Sequence, residues 1–524
     1  MNIRDSEYPY CSLDSGALKP EAAFFVVFGA TGDLAKRKIF PSLFDLHMEK
    51  TLPQRLVMLG FARRDLDDGA FRADMREGCA RHSRHKGFSD ADWASFSSRI
   101  FYLASDVSDP AGYARLASLI GGGEKLAGLG QDFSLPRNAL FYLAVGPEHF
   151  GLIADRLGEA GLGSGRRGAG TRRGQKPREG WRRLVVEKPY GRDEASAGAL
   201  TEVLQRNFSE RDIYRIDHYL GKETVQNLLY LRFANAIFEP IWNRNHIESM
   251  DISVFETEGI GQRGGYYDTA GAARDMLQNH LVQLMCLATM EPPASLDPES
   301  IRNEKVKVLQ SVATHDGPEL LRRSRRGQYA EGTDGQGNPV EAYAEAPKVR
   351  TGSATETYVS LTLELDNWRF SGVPITLRTG KAFAEKFSQI VVNFRRPPAA
   401  LFAAQCGESL LPNRLVIRIQ PDEGVWLRFN AKVPGMPAIK ASDLRFSFRD
   451  VAEYLPEAYE RLIADALSGD STLFIRADES KFAWRIVDSL EAAWSSADPS
   501  ARPDQGGLLR YAAGSPIPSL QSHE

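Results

Sequence analysis

Residues Arg215 to Glu223 read RIDHYLGKE and put Arg215, Asp217, His218, Tyr219, Lys222 and Glu223 into one short stretch. The chain then runs into ETVQNLLYLRF, where Val225, Leu228 and Leu229 fall at helical spacing, so Gly221 and Lys222 lie near a helix start. Helix N-termini attract anions, and His218, Tyr219 and Lys222 add donors around the same spot. A phosphate-bearing substrate is the simplest ligand for such a cluster. For any one of these residues a solvent-facing charge is the plainer reading; the cluster as a whole reads as a site.

A second helical segment, AARDMLQNHLVQLM, carries His280 among Ala273, Met276, Leu277 and Leu284 on adjoining turns. A lone histidine on such a face is more often a packed core residue than a catalyst. A site that removes an alcohol proton nevertheless needs a base, and histidine is the side chain best matched to neutral pH. With nine histidines in the chain, spacing alone does not choose His280. LVVEKPYG puts Lys188 at a strand end, where doubly wound sheets bind ligands, with Pro189 holding it towards an extended backbone.

FGATGDLAKRK spaces Gly29 and Gly32 three apart, with Ala35 three further on, directly after the apolar run AFFVVF. Glycines let the backbone turn tightly and approach a pyrophosphate, and the helix that follows offers unpaired N–H groups to it. This is a G-x-x-G variant of the dinucleotide fingerprint. The next strand then speaks to the cofactor. An NAD site ends that strand with an acid for the ribose 2′-hydroxyl, whereas LGFARRD offers Arg63 and Arg64, which suit a 2′-phosphate. NADP is favoured, and Asp65 leaves some NAD use open.

These groups need a frame to hold them. The 524 residues suffice for two domains, and a 42% hydrophobic content is ordinary for a globular chain. AFFVVF, RLVMLGF, NALFYLAV and RRLVVE are buried-strand runs separated by helical stretches, which predicts a Rossmann-like, doubly wound α/β dinucleotide-binding domain over residues 22–214. Beyond it, period-2 segments (DISVFET, TYVSLTLELD, QIVVNFRR, NRLVIRIQ) alternate with long helical stretches. They predict a larger α+β domain over 215–515, built on a big, mainly antiparallel sheet. GLGSGRRGAGTRRGQKPREG (161–180) reads as a solvated basic insertion, and GTDGQGNP (332–339) as a loop.

A net charge of −3 with 25% charged residues argues against a nucleic-acid or membrane-surface binder. Cys11, Cys79, Cys286 and Cys406 are scattered and suggest neither a disulfide framework nor a metal site. No signal peptide and no apolar run near the roughly 20 residues of a transmembrane helix is found, so a cytoplasmic location is expected.

Taken in order, GATGDLAKRKIFPSLFDL, FYLAVGP, VVEKPYG, RIDHYLGKETVQNLLYLRFAN, RGGYYDTAGAARDMLQNHLVQLM and GVPITLRTGKAFAEK resemble the glucose-6-phosphate dehydrogenase family, over nearly the whole chain. The resemblance implies hydride transfer from C1 of glucose 6-phosphate to NADP, giving the lactone and opening the oxidative pentose phosphate pathway. It implies that His280 accepts the proton, that Asp217 orients it, and that His218, Tyr219 and Lys222 hold the sugar phosphate. Glu256 and Asp275 would meet sugar hydroxyls, Lys188 would sit between substrate and nicotinamide, and Lys381 and Lys386 would reach the substrate side. Cofactor contacts would fall on Gly29, Thr31, Gly32, Asp33, Leu34 and Arg63. A homodimer or homotetramer is implied too. Gly146 stands where the family commonly has proline, EHF after Pro147 is atypical, and the 161–180 insertion has no family counterpart.

Two other readings fit parts of the chain. An inositol-dehydrogenase-like sugar oxidoreductase shares the two-domain plan and the EKP segment but lacks RIDHYLGKE. A catalytically silent NADP sensor would have lost His280 or Asp217, and both are present.

Overall fold

The computed structural model describes residues 21–122, 137–165, 180–335, 337–397, 402, 410–452 and 454–518. Cys11, Cys406 and positions 166–179 of the basic insertion lie outside the described residues.

Uninterrupted apolar runs form strands that are buried on both faces. β1 (Ala23–Phe28), β2 (Leu56–Ala62), β3 (Ile100–Ala104), β4 (Asn138–Leu143), β5 (Arg182–Val186) and β6 (Ile213–Ile216) run parallel to one another. Alternating segments then give β7 (Ile247–Phe255), β8 (Ser324–Ala330), β9 (Gly332–Thr333), β10 (Pro339–Val340), β11 (Tyr358–Leu363) and β12 (Ile375–Gly380). They are followed by β13 (Phe387–Phe394), β14 (Arg414–Gln420), β15 (Gly424–Lys432), β16 (Ile439–Ser447), β17 (Phe474–Ile475) and β18 (Leu508–Ala512).

The first sheet has the order β17-β6-β5-β4-β1-β2-β3. β1 lies between β2 and β4, so the strand order reverses at its C-terminal end, the point where open α/β sheets bind ligands. Phe24, Val26 and Phe28 face one layer, packing with Leu116, Leu119, Ile153 and Leu157 of helices Pro110–Gly121 and Phe150–Glu159. Phe25 and Val27 face the other, joining Leu43 and Phe44 of helix Phe40–Met48 in a core that also takes in Trp484 and Val487 of the C-terminal helix Ala477–Ser495. β17 pairs antiparallel with β6, Phe474 opposite Ile216, although some 260 residues separate them in sequence.

The second sheet has the order β16-β15-β14-β13-β7-β12-β11-β8-β18. It is mainly antiparallel, as the period-2 pattern predicts, with parallel pairings at β7/β12 and β8/β18. GTDGQGNP is more than a loop: its ends pair as the short β9/β10 ladder, Thr333 opposite Pro339. Among the described residues no helix is long and apolar enough to cross a membrane. Cys79 and Cys286 are buried free thiols.

Candidate active site

At the C-terminal end of β1 the chain turns at Gly29, whose φ is +79° and whose N–H bonds Phe61 O at 2.9 Å. A Cβ at Gly29 would stand 2.3 Å from Ala144 O, so only glycine brings the backbone this close to the end of β4. Gly32 N–H then bonds Gly29 O at 2.9 Å, and the helix starts within three residues. The result is a backbone cradle at a helix N-terminus, with Thr31 and Leu34 partly exposed and Asp33 exposed beside it. Such a cradle fits a dinucleotide's pyrophosphate. Arg63 and Arg64 follow β2 and are both exposed. Tyr102 fixes their turn, its hydroxyl donating to Ala62 O at 3.0 Å and Arg64 O at 2.7 Å.

β5 delivers the EKP segment, with Lys188–Pro189 in the cis form. Glu187 is buried, and its Oε1 accepts from the Tyr142 hydroxyl at 2.6 Å and the Tyr459 hydroxyl at 3.1 Å. Burial pushes its carboxyl up, while the two hydroxyls pull it down. Lys188 beside it reaches the opposite way, its Nζ lying 3.3 Å from both Asp275 Oδ1 and Asp275 O, and 3.2 Å from His280 Nε2.

β6 ends at Ile216, and RIDHYLGKE turns from it into helix Glu223–Phe233, with Lys222 at the cap position. Asp217 Oδ1 accepts Tyr219 N–H at 2.9 Å and lies 2.5 Å from His280 Nδ1. His280 belongs to a π-helical segment, Ala273–Leu281, that also carries Asp275. Neither His280 nor Asp217 side chain is exposed at all. Burial lowers the imidazole below 6.5, Lys188 pulls the same way, and Asp217 opposes both. Asp217 itself is held at about 2, because the pull of His280 outweighs its burial. With Nδ1–H given to the carboxylate, Nε2 is left as an acceptor on the cavity side.

The Tyr219 ring stacks on the His280 ring at 4.4 Å, and the His218 ring meets it edge-on at 4.6 Å. Burial and the nearby His280 keep His218 well below the usual imidazole range. Lys222 Nζ sits 4.2 Å over Tyr219 and donates to Gln420 Oε1 at 2.5 Å. Burial brings this ammonium down to about 8. Lys381, buried after β12, pairs with Glu256 after β7, and Lys386 pairs with Glu258 at 3.1 Å on the rim.

One cavity of about 780 Å³ gathers Lys188, His218, Tyr219, Lys222, Glu256, Asp275, His280, Lys381 and Lys386, all singled out from the sequence. Asp217 stands behind His280 and does not line it. The cradle residues Gly29, Thr31, Gly32, Asp33, Leu34 and Arg63 form a separate region at the ends of β1 and β2. Asp217, His218 and His280 also bring potential metal-ligating atoms within 4.8 Å of one another, two of them already bonded together.

The cavity also exposes residues that sequence reasoning missed. Gln420, Tyr266, Lys38 and Tyr459 line it. Gln420 closes the alternating run NRLVIRIQ just before Pro421, a strand end that could have drawn attention. Lys38 lies inside the dinucleotide motif yet faces this cavity and pairs with Glu457 at 2.8 Å. Tyr459 lies in the C-terminal segment and gives no local signal.

The sequence matches two family profiles: "Glucose-6-phosphate dehydrogenase, NAD binding domain" over residues 26–227, and "Glucose-6-phosphate dehydrogenase, C-terminal domain" over residues 229–523. It is 41% identical over 476 residues to glucose-6-phosphate 1-dehydrogenase of Aggregatibacter actinomycetemcomitans, covering 90% of this chain and 91% of that one. To the enzyme of the same name from Bacillus subtilis it is 40% identical over 477 residues, 90% and 92% of the two chains. The fold is similar to a glucose-6-phosphate dehydrogenase solved in complex with its substrate glucose 6-phosphate, at TM-score 0.83 and 34% identity over 96% of each chain. It is also similar to the Mycobacterium avium glucose-6-phosphate 1-dehydrogenase, at TM-score 0.76 and 32% identity, covering 94% of this chain and 95% of that one. With its two halves matched in order, and with both a glycine cradle and a histidine–carboxylate cavity, the chain belongs to the glucose-6-phosphate dehydrogenase family, oxidoreductases acting on a CH–OH group.

Proposed function

We propose that this chain oxidises C1 of D-glucose 6-phosphate to 6-phospho-D-glucono-1,5-lactone with NADP as the electron acceptor. The observation that carries the reading is the fully buried His280–Asp217 pair, which turns Nε2 towards a cavity that also holds Lys222, His218 and Lys381. A base and lysine ammonium groups in one cavity suit a sugar that is oxidised at C1 and phosphorylated at C6.

Glucose 6-phosphate lies with its phosphate at Lys222, His218 and Tyr219 and its hydroxyls near Glu256, Asp275 and Lys381, with Lys386 at the rim. The C1 hydroxyl takes the position beside Nε2 that the Lys188 ammonium approaches in this structure. His280 draws off its proton, because an alkoxide-like oxygen expels hydride far better than a neutral hydroxyl. Asp217 stabilises the imidazolium that forms and fixes the ring's tautomer. Lys188 keeps the imidazole neutral beforehand and orients the sugar oxygen. NADP, when bound, supplies the hydride acceptor; Gly29, Thr31, Gly32, Asp33 and Leu34 would hold its pyrophosphate and Arg63 its 2′-phosphate.

The dinucleotide-binding and substrate domains divide near residue 214, and the protein works in the cytoplasm as a homodimer or homotetramer. Exposed apolar side chains on and around β16 (Met436, Leu444, Phe446) support self-association.

Spectrophotometric assays with glucose 6-phosphate or glucose, each with NADP and with NAD, test the reading. Rapid turnover of glucose 6-phosphate with NADP and little of glucose is expected. Equal turnover of both sugars would refute phosphate recognition at Lys222.

A further inference from the structure

The helix that carries Asp275 and His280 does not run on from the one before it. Helix Gly264–Ala272 breaks at Gly271, whose φ of 65° and ψ of 176° suit glycine alone. A helical segment that restarts after such a break leaves its first N–H groups without acceptors of its own. Here the acceptors come from a residue far along the chain. Glu356 O accepts Ala272 N–H at 3.0 Å, and Glu356 Oε1 accepts Ala273 N–H at 2.9 Å. The bare α-carbon of Gly271 admits the carboxyl, since a Cβ there would lie 2.2 Å from Glu356 Oε1. The other side of the break is tied to the same short segment: Ser353 Oγ donates to Asp268 Oδ1 at 2.5 Å, and Thr355 Oγ1 to Asp268 O at 3.0 Å.

We propose that Glu356 is a positioning residue, capping the π-helical segment so that Asp275 and His280 meet Asp217 and Lys188 in register. The inference rests on the reading of His280 as the base. Glu356 touches neither His280 nor the cavity, so its effect passes through the helix backbone. Burial, with the nearby Glu491 carboxyl, disfavours the charged form of Glu356. The bond to Ala273 N–H needs an oxygen at that distance, so reach matters more than charge.

Three full-length variants separate reach from charge: Glu356→Gln keeps an oxygen at the same distance, Glu356→Asp keeps the acid but withdraws it, and Glu356→Met fills the space with no acceptor. Each is measured for kcat and for KM of glucose 6-phosphate with NADP, per folded molecule, with melting temperature alongside. Glu356→Gln should keep kcat close to that of the parent. The Asp and Met variants should lose kcat by up to about 10²-fold, the scale expected when a reacting group is misplaced by an ångström. Their KM should change less than kcat, because His218 and Lys222, which hold the phosphate, stand on another element and only Asp275 moves with the segment. If one of these two does not fold, the other against Glu356→Gln carries the same contrast. If neither folds, Glu356 is a stability residue and the positioning role is overturned. It is overturned as well if folded Asp and Met variants turn over like the parent, or if the Gln variant loses as much as they do. His280→Asn is the control: parental turnover in that variant would end the base reading, whatever the 356 variants do.

Discussion

The two candidate ligand regions of this molecule are made of different materials. At the ends of β1 and β2 the surface is mostly backbone: a glycine turn, a helix start and a few side chains standing in solvent, Asp33 and Arg63 among them. The cavity is made of side chains just beyond the ends of β5 and β6 of the same sheet and of β7 and β12 of the second, with others from the π-helical segment and the last residue of β14, already bonded to one another. A backbone cradle grips any pyrophosphate, so selectivity there falls to single exposed charges. A cavity of mutually paired groups behaves as a network, in which changing one residue alters the proton affinity of its neighbours. On the proposed reading, the first kind of site should fail in affinity and the second in chemistry.

The largest effect should come from the network. His280→Asn should lower kcat by about 10²–10⁴-fold, the usual contribution of a general base, while substrate still binds. Measuring melting and turnover on one preparation decides the matter: a destabilised but fully active enzyme would mean a packing residue. The pH profile adds a signed test. His280 is held below 6.5 by burial and Lys188, so it is neutral at neutral pH and activity should fall as pH drops through that lowered value. Asp217 raises the imidazole's proton affinity, so Asp217→Asn should cut kcat and move the acid limb to still lower pH.

A smaller, purely binding effect is expected at the cradle. A charge-assisted bond to the 2′-phosphate contributes roughly 1.5–3 kcal/mol, so Arg63→Ala should raise the KM for NADP at least tenfold or so and leave that for NAD nearly unchanged. Equal losses for the two cofactors would dissolve the contrast drawn above. The mildest effect concerns Lys222, whose ammonium burial brings down to about 8. It is charged below that pH and loses its proton above it, so the KM for glucose 6-phosphate should climb between pH 7 and 9. Lys222→Arg should flatten the climb, and a parent KM that ignores pH in this range would remove Lys222 from phosphate recognition.

Legibility in the sequence follows the same division. The glycine spacing after AFFVVF and the arginines after RLVMLGF are local signals, and the structure has a turn and a strand end at those residues. RIDHYLGKE is equally local, and its helix starts at Glu223. The pairing of His280 with Asp217 joins residues 63 positions apart, and only the family resemblance suggested it. Gln420 reaches the cavity through the second sheet, marked in sequence only by the strand end before Pro421, and Tyr459 through the C-terminal segment, where no charge or glycine pattern marks it. The π-helical winding of Ala273–Leu281 was hidden as well, because an apolar face at helical spacing reads the same in both windings.

The pairing of β17 with β6 has a consequence for how the chain comes into being. During synthesis the first sheet has five of its strands and an open sixth long before Phe474 exists. At common elongation rates the wait from β6 to β17 is roughly 10–50 s. Throughout it, β6 presents an unpaired edge, the kind that recruits other strands. Arg215 on that edge lacks a partner segment in the meantime: in the finished protein its guanidinium is buried against Glu210, which also accepts Ala477 N–H at 2.9 Å. The nascent dinucleotide half is thus an unfinished sheet, with an edge open to mispairing until β17 is made.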